Sequence, residues 1–198
     1  MLTGLGMMIS NMSPFDLLFI ALFLSAVVAM VAAAVQAARG RNAAAILQWL
    51  AASAAAYFAI VIAVSIVAPR RELALGERQC FDDWCIAVES ADRTSGGYEV
   101  ALRISSRARR VSQRENNLAV YMTDARGRRY DPLPDAEAAP LNALLGPGQS
   151  VVARRRFALR PDAPRPGVVV THEGGFPIGW LIIGYDTWFR KPPIVPLW

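Results

Sequence analysis

Two stretches of this chain are too long and too apolar to be the helices of an ordinary water-soluble domain. From Phe15 to Ala38 the sequence FDLLFIALFLSAVVAMVAAAVQAA carries one charge, Asp16, and from Ala43 to Ala68 the sequence AAAILQWLAASAAAYFAIVIAVSIVA carries none. A helix of about 20 apolar residues crosses the hydrocarbon core of a bilayer, and both runs exceed that. Their Ala and Ser content suits close helix packing in lipid. They also account for a mean hydropathy of +0.29 in a chain with a pI of 9.8. A cleaved signal peptide calls for a basic leader, and MLTGLGMMISNMSP has no Lys or Arg. Ser13, Pro14 and Asp16 read instead as N-cap, first helical residue and first-turn acid. Residues 1–68 are therefore expected to form a transmembrane hairpin with spans at about 15–38 and 43–68.

The turn of the hairpin is ARGRNA, where Gly40 can end one helix and Asn42 can cap the next. Arg39 and Arg41 are the first basic residues of the chain, and the next is Arg70. The positive-inside rule puts this short loop in the cytoplasm and everything after Ala68 outside. Arg70 and Arg71 oppose that orientation, and the uncharged N-terminus decides in its favour.

After Pro69 the pattern changes to short alternating segments. In YEVALRIS, Tyr98, Val100, Leu102 and Ile104 share one face while Glu99, Arg103 and Ser105 share the other, the period of a half-buried strand. NLAVYMTDARGRRYDP reads as a hairpin turning at Asp124 to Gly127 and stopped by Pro132. SVVARRRFAL, GVVVTHE and WLIIGY read as further strands, and DAEAAPLNALL as a loop with one turn of helix. Roughly seven short strands predict a sandwich of two antiparallel sheets over residues 69–187. Residues 188–198, RKPPIVPLW after Trp188 and Phe189, are too Pro-rich for a central strand and are expected to be an extended arm that either docks on a partner or covers the open end of its own sandwich.

Cys80 and Cys85 are the only cysteines. Outside the cytoplasm, a lone pair at C-x4-C spacing points to a local disulfide. Zinc asks for four ligands and His172 is the single histidine, while thioredoxin chemistry asks for C-x-x-C. Asp82 and Asp83 supply too few oxygens for calcium and read as a solvated turn. The closed loop is short, so its entropic stabilisation is on the order of 2 kcal/mol. No metal and no cofactor is expected.

GERQCFDDWCIAVES, YEVALRISSRARRVSQRE, VYMTDARGRRYDP, the Pro-Gly turn before SVVARRRFAL, and VVVTHEGGFPIGWLIIG together resemble a loosely characterised group of bacterial extracytoplasmic domains. These are immunoglobulin-like domains on a lipoprotein or transmembrane anchor, and the resemblance spans roughly Glu77 to Tyr185. It implies a β-sandwich and no catalytic residues. With the topology above, it implies a bacterial inner membrane protein with a periplasmic C-terminal domain.

An enzyme is not expected. His172 has no nucleophile-elbow serine to serve, and neither phosphate-binding glycine motif occurs. Three basic clusters stand out: Arg107, Arg109 and Arg110; Arg126 to Arg129; and Arg154 to Arg156. An extracytoplasmic domain has no nucleic acid to bind, so these either line solvated strand faces or attract anionic lipid head groups or an acidic protein surface. Phe176, Trp180, Trp188, Phe189 and Trp198 either cap the sandwich or anchor a partner. The expected function is an accessory subunit that stabilises a larger membrane assembly, with respiratory and photosynthetic complexes as candidate hosts. Trp188, Phe189, Trp198, Arg107, Arg109 and Arg110 are its candidate contact residues. The alternative is a free-standing envelope module that binds a ligand in its loops.

Overall fold

The computed structural model, which describes residues 14–81, 83–172, 181–183 and 189–198, folds both apolar runs as helices. These are α1 (Pro14–Ala38) and α2 (Ala44–Val67). Pro14 opens α1 and Asp16 lies in its first turn, while Ser13 falls outside the described residues. Gly40, at φ 67°, closes the helix: its N–H donates to Ala37 O and the Arg41 N–H donates to Gln36 O. The Ala44 N–H then donates to Asn42 Oδ1 at 2.8 Å, starting α2.

The rest of the described chain is eight antiparallel strands in two sheets. They are β1 (Arg78–Phe81), β2 (Trp84–Thr94), β3 (Gly97–Ser106), β4 (Leu118–Thr123), β5 (Arg129–Tyr130), β6 (Ser150–Ala158), β7 (Gly167–His172) and β8 (Val195–Pro196). The sheet orders are β1-β2-β3-β6 and β5-β4-β7-β8. One core joins them, built from Ile86, Val88, Val100, Leu102 and Ile104 of the first sheet and Val120, Met122, Val168 and Val170 of the second. The alternation in β3 lands as expected, with Val100, Leu102 and Ile104 buried. The 118–130 hairpin also forms where the pattern places it. The Leu181–Ile183 part of the expected WLIIGY strand is turn, and the rest of it lies outside the described residues. The expected helical turn near Asp135 is loop.

The free edge of β6 is covered by the loop that precedes it. The Leu133 N–H donates to Arg156 O, and the Arg155 guanidinium donates to Ala139 O. An unpaired strand edge invites pairing with other chains, and this loop removes it.

The register defines two ends. At one end Phe81 pairs with Trp84, Trp84 with Ser106, Ser105 with Ser150, and Leu118 with His172. The Phe81 and His172 rings meet there edge to face, 4.3 Å apart, tying the two sheets. The chain enters and leaves the sandwich on this side. Arg70 Nε donates to Pro192 O, Glu72 bridges Ile194, and residues preceding Val195 run toward His172 because β8 is antiparallel to β7.

The expected boundaries at 69–187 and 188–198 need correction. The chain forms two compact units, Met1–Pro69 with Phe176–Lys191, and Arg70–Gly175 with Pro192–Trp198. Ile194 to Leu197 is not a free arm. Val195 and Pro196 pair with β7, Ile194 and Val195 are buried, and the Leu197 N–H donates to Pro166 O. Proline is tolerated because β8 is an edge strand. Gly167 permits the approach, since a Cβ there would lie 2.5 Å from Ile194 Cδ1 and 3.0 Å from Val195 O. Removing Pro192–Trp198 exposes the core under Ile194 and Val195, each worth about 1.5–3 kcal/mol of burial. We expect the truncated protein's sandwich to melt at least roughly 10 °C lower, read by calorimetry. An unchanged melting temperature would restore the docking-arm account.

Candidate functional site

The three arginine clusters meet different fates, and the difference locates the candidate site. At the far end of the sandwich, the turn from Asp124 to Arg128 consumes its own charges. Asp124 is buried, and its Oδ1 accepts the N–H groups of Arg126 and Arg128 at 2.9 and 3.0 Å. Its Oδ2 accepts Arg128 Nε at 2.6 Å and the Tyr130 hydroxyl at 3.0 Å. Arg126 and Arg128 also pair with Asp162, clamping the 159–166 loop to this turn. Burial opposes ionisation of Asp124, but the bonds from Arg128, Tyr130 and Arg126 outweigh it and hold the carboxyl at about 2, below its ordinary 3.8. Arg129 pairs with Asp131 and lies over the Tyr121 ring. Along β6, Arg154 pairs with Glu99 and Arg156 with Asp135.

Arg107, Arg109 and Arg110 behave otherwise. They are exposed in the loop that leaves β3 at the chain-entry end, and no described residue pairs with their guanidinium groups. Ala108 is buried between them and anchors the loop. The Arg107 N–H donates to Asp83 O, joining the loop to the turn closed by the cysteines. Val111, next in sequence, is 63% exposed. Arg109, Arg110 and Val111 line an open recess with Asp83 and Gln113. The acids of this end are otherwise engaged or undescribed: Asp83 Oδ2 accepts Gln113 Nε2 at 3.4 Å, Glu115 Oε1 lies 2.9 Å from His172 Nε2, and Asp82 falls outside the described residues.

Cys80 and Cys85 are bonded to each other. They are a cross-strand pair of the β1–β2 hairpin, one step from the Phe81–Trp84 pair that closes the turn. Cys85 and Trp84 are fully buried, so the staple pins the hairpin next to the arginine loop. His172 is a core-edge residue between Phe81 and Glu115. Phe189 and Trp198 are 58% and 60% exposed, while Phe176, Trp180 and Trp188 lie outside the described residues. Among the described residues, no three of His, Cys, Asp or Glu converge as metal ligands do.

A feature that residue patterns did not reveal lies between the helices. An apolar cleft of about 580 Å3 runs between α1 and α2, lined among others by Phe19, Ala29, Trp49, Ser53 and Tyr57. Trp49 is 76% exposed, and Ala33, Val61 and Ser65 are the buried residues of the two helices. The Tyr57 hydroxyl donates to Leu181 O.

No protein-family model and no curated protein matches the chain. Among solved structures it is similar to MPT63, a secreted protein from Mycobacterium tuberculosis, at 14% identity and a TM-score of 0.42, covering 66% of this chain and 99% of that one. It is also similar to the yjhA protein from Bacillus subtilis, at 12% identity and a TM-score of 0.43, covering 63% and 98%. Likenesses this distant carry no argument about what the chain does.

The Asp124 network makes a pH prediction. Its folded pKa lies below the unfolded value, so its stabilisation is present above about pH 4 and is lost as pH falls toward 2. Asp124→Asn leaves several donors without a full-strength acceptor and should cost roughly 1–3 kcal/mol at pH 7. Chemical denaturation of the variant should also show a flatter stability profile between pH 4 and 2. A variant that keeps the wild-type slope would show that another carboxylate carries it.

Proposed function

We propose that this chain is a non-enzymatic accessory subunit held in a bacterial inner membrane by α1 and α2. In this reading the periplasmic sandwich and the hairpin together bind and stabilise a larger membrane assembly. The observation that carries the reading is the open cleft between two helices that cover little of each other. In a bilayer such helices are not driven together by water, so their unfilled apolar groove and its Ala and Ser lining favour a further helix. Phe189 and Trp198 each offer exposed aromatic area for a contact.

We read the sandwich as immunoglobulin-like. The chain crosses between sheets from β3 to β4, from β5 to β6 and from β6 to β7, and β3 pairs β6 while β4 pairs β7. That connectivity supports a Greek-key arrangement. The disulfide departs from the antibody pattern, because it lies within one hairpin rather than between the sheets.

The test is extraction of the native protein in mild detergent. It should run in a particle far larger than 21.5 kDa plus a micelle, with stoichiometric companions identified by mass spectrometry. Ala29→Leu, which fills the cleft, should release those companions while leaving the melting of the sandwich unchanged. Migration as a lone chain would refute the subunit reading.

A further inference from the structure

The loop that carries Arg107, Arg109 and Arg110 is placed by the covalent path of the chain. The sandwich is entered at Arg70 and left at His172, and both points lie on the end where β3 finishes and this loop begins. Four residues separate Val67, the last of α2, from Glu72, which is already bridged to Ile194. A trans chain reaches at most about 3.5 Å per residue, so the tether can hold Glu72 no more than about 18 Å from the end of that helix. If α2 spans a bilayer, the covalent path keeps Glu72 and this end of the sandwich within reach of the lipid surface.

The chemistry of the loop suits that surface. Its arginines have no partners among the described residues, whereas the arginines of the Asp124 turn and Arg154 and Arg156 of β6 are paired with carboxylates. Guanidinium groups bind phosphate through paired N–H donors. The exposed Val111 adds an apolar side chain beside them. Buried Ala108 and the Arg107 to Asp83 backbone bond fix the loop to the disulfide-closed hairpin, so little ordering remains to be done on contact. We propose that Arg107, Arg109 and Arg110 bind the phosphates of anionic lipid head groups in the bilayer that holds α1 and α2, with Val111 dipping into the interface. The inference rests on the membrane reading above and adds the lipid class and the residues that select it.

The experiment uses the full chain, labelled with an environment-sensitive fluorophore at Val111→Cys and reconstituted into vesicles carrying lipid-linked quenchers. Attraction to an anionic surface is worth roughly fivefold per arginine in the contact equilibrium, so three supply on the order of 100-fold. We expect strong quenching in phosphatidylglycerol vesicles, weak quenching in phosphatidylcholine, and loss of the difference in R107Q/R109Q/R110Q. A control, R93Q/R160Q/R165Q, removes the same charge from the opposite end and should keep it. Equal quenching in both lipids, persistence in the loop variant, or equal loss in the control would overturn the proposal. Displacement by inorganic phosphate, but not by chloride at the same ionic strength, would assign the loop to a free anion instead. Flotation separates the two readings: protein that fails to float with the vesicles overturns the anchor. Protein that floats without lipid-dependent quenching overturns the head-group contact alone.

Discussion

Everything in this structure follows from apolar helix surface that the chain itself leaves uncovered. α1 and α2 carry no Asp, Glu, Lys, Arg or His after Asp16, yet only Ala33, Val61 and Ser65 are buried. In water that surface would drive aggregation, since every exposed Leu or Phe forfeits burial worth about 1.5–3 kcal/mol. A bilayer removes the penalty and leaves packing and hydrogen bonding to decide what the helices touch. The proposed anchor, the proposed compartment of the disulfide and the proposed contact of the arginine loop all rest on that one requirement.

The sandwich distributes its charge unevenly for a reason visible in its topology. The far end holds only turns, and its turn arginines are absorbed by Asp124 and Asp162, which lock the 124–128 turn to the 159–166 loop. The near end holds the connections to the remainder of the chain, the stapled hairpin and a crossing loop, and there the arginines of the 107–110 stretch stay open. Within the clusters, identical side chains thus serve as structural ties in the 124–128 turn and as an available surface in the 107–110 loop. The distinction lies in which carboxylates are close by, not in the arginines themselves.

That is also why the sequence was informative in some places and silent in others. Strand β3 was legible because Val100, Leu102 and Ile104 alternate with polar neighbours, and the 118–130 hairpin because its turn residues sit between two alternating runs. The pairing of Cys80 with Cys85 was legible because no other cysteine exists. Strand β8 was not, since one of its two residues is Pro196, Pro192 and Pro193 lie just before it, and its pairing depends on Gly167, 28 residues or more earlier in the chain. The fates of Arg126, Arg128, Arg154 and Arg156 were hidden for the same reason: Asp162, Glu99 and Asp135 are brought to them only by folding. Of the three arginine clusters, RARR, RGRR and ARRRF carry an equal signal in composition, and only folding shows that the last two are largely paired internally.

The central claim is that α1 and α2 hold the sandwich on the outer side of a membrane. Two single-cysteine additions test it in intact cells with a membrane-impermeant maleimide. Arg41→Cys lies in the turn between the helices, and Gly96→Cys lies in the β2–β3 turn, where an added side chain meets nothing within 4 Å. The account predicts that the position-96 thiol is labelled from outside, and that the position-41 thiol is labelled only after the membrane is permeabilised. The reverse pattern, or labelling of both only after permeabilisation, would contradict it.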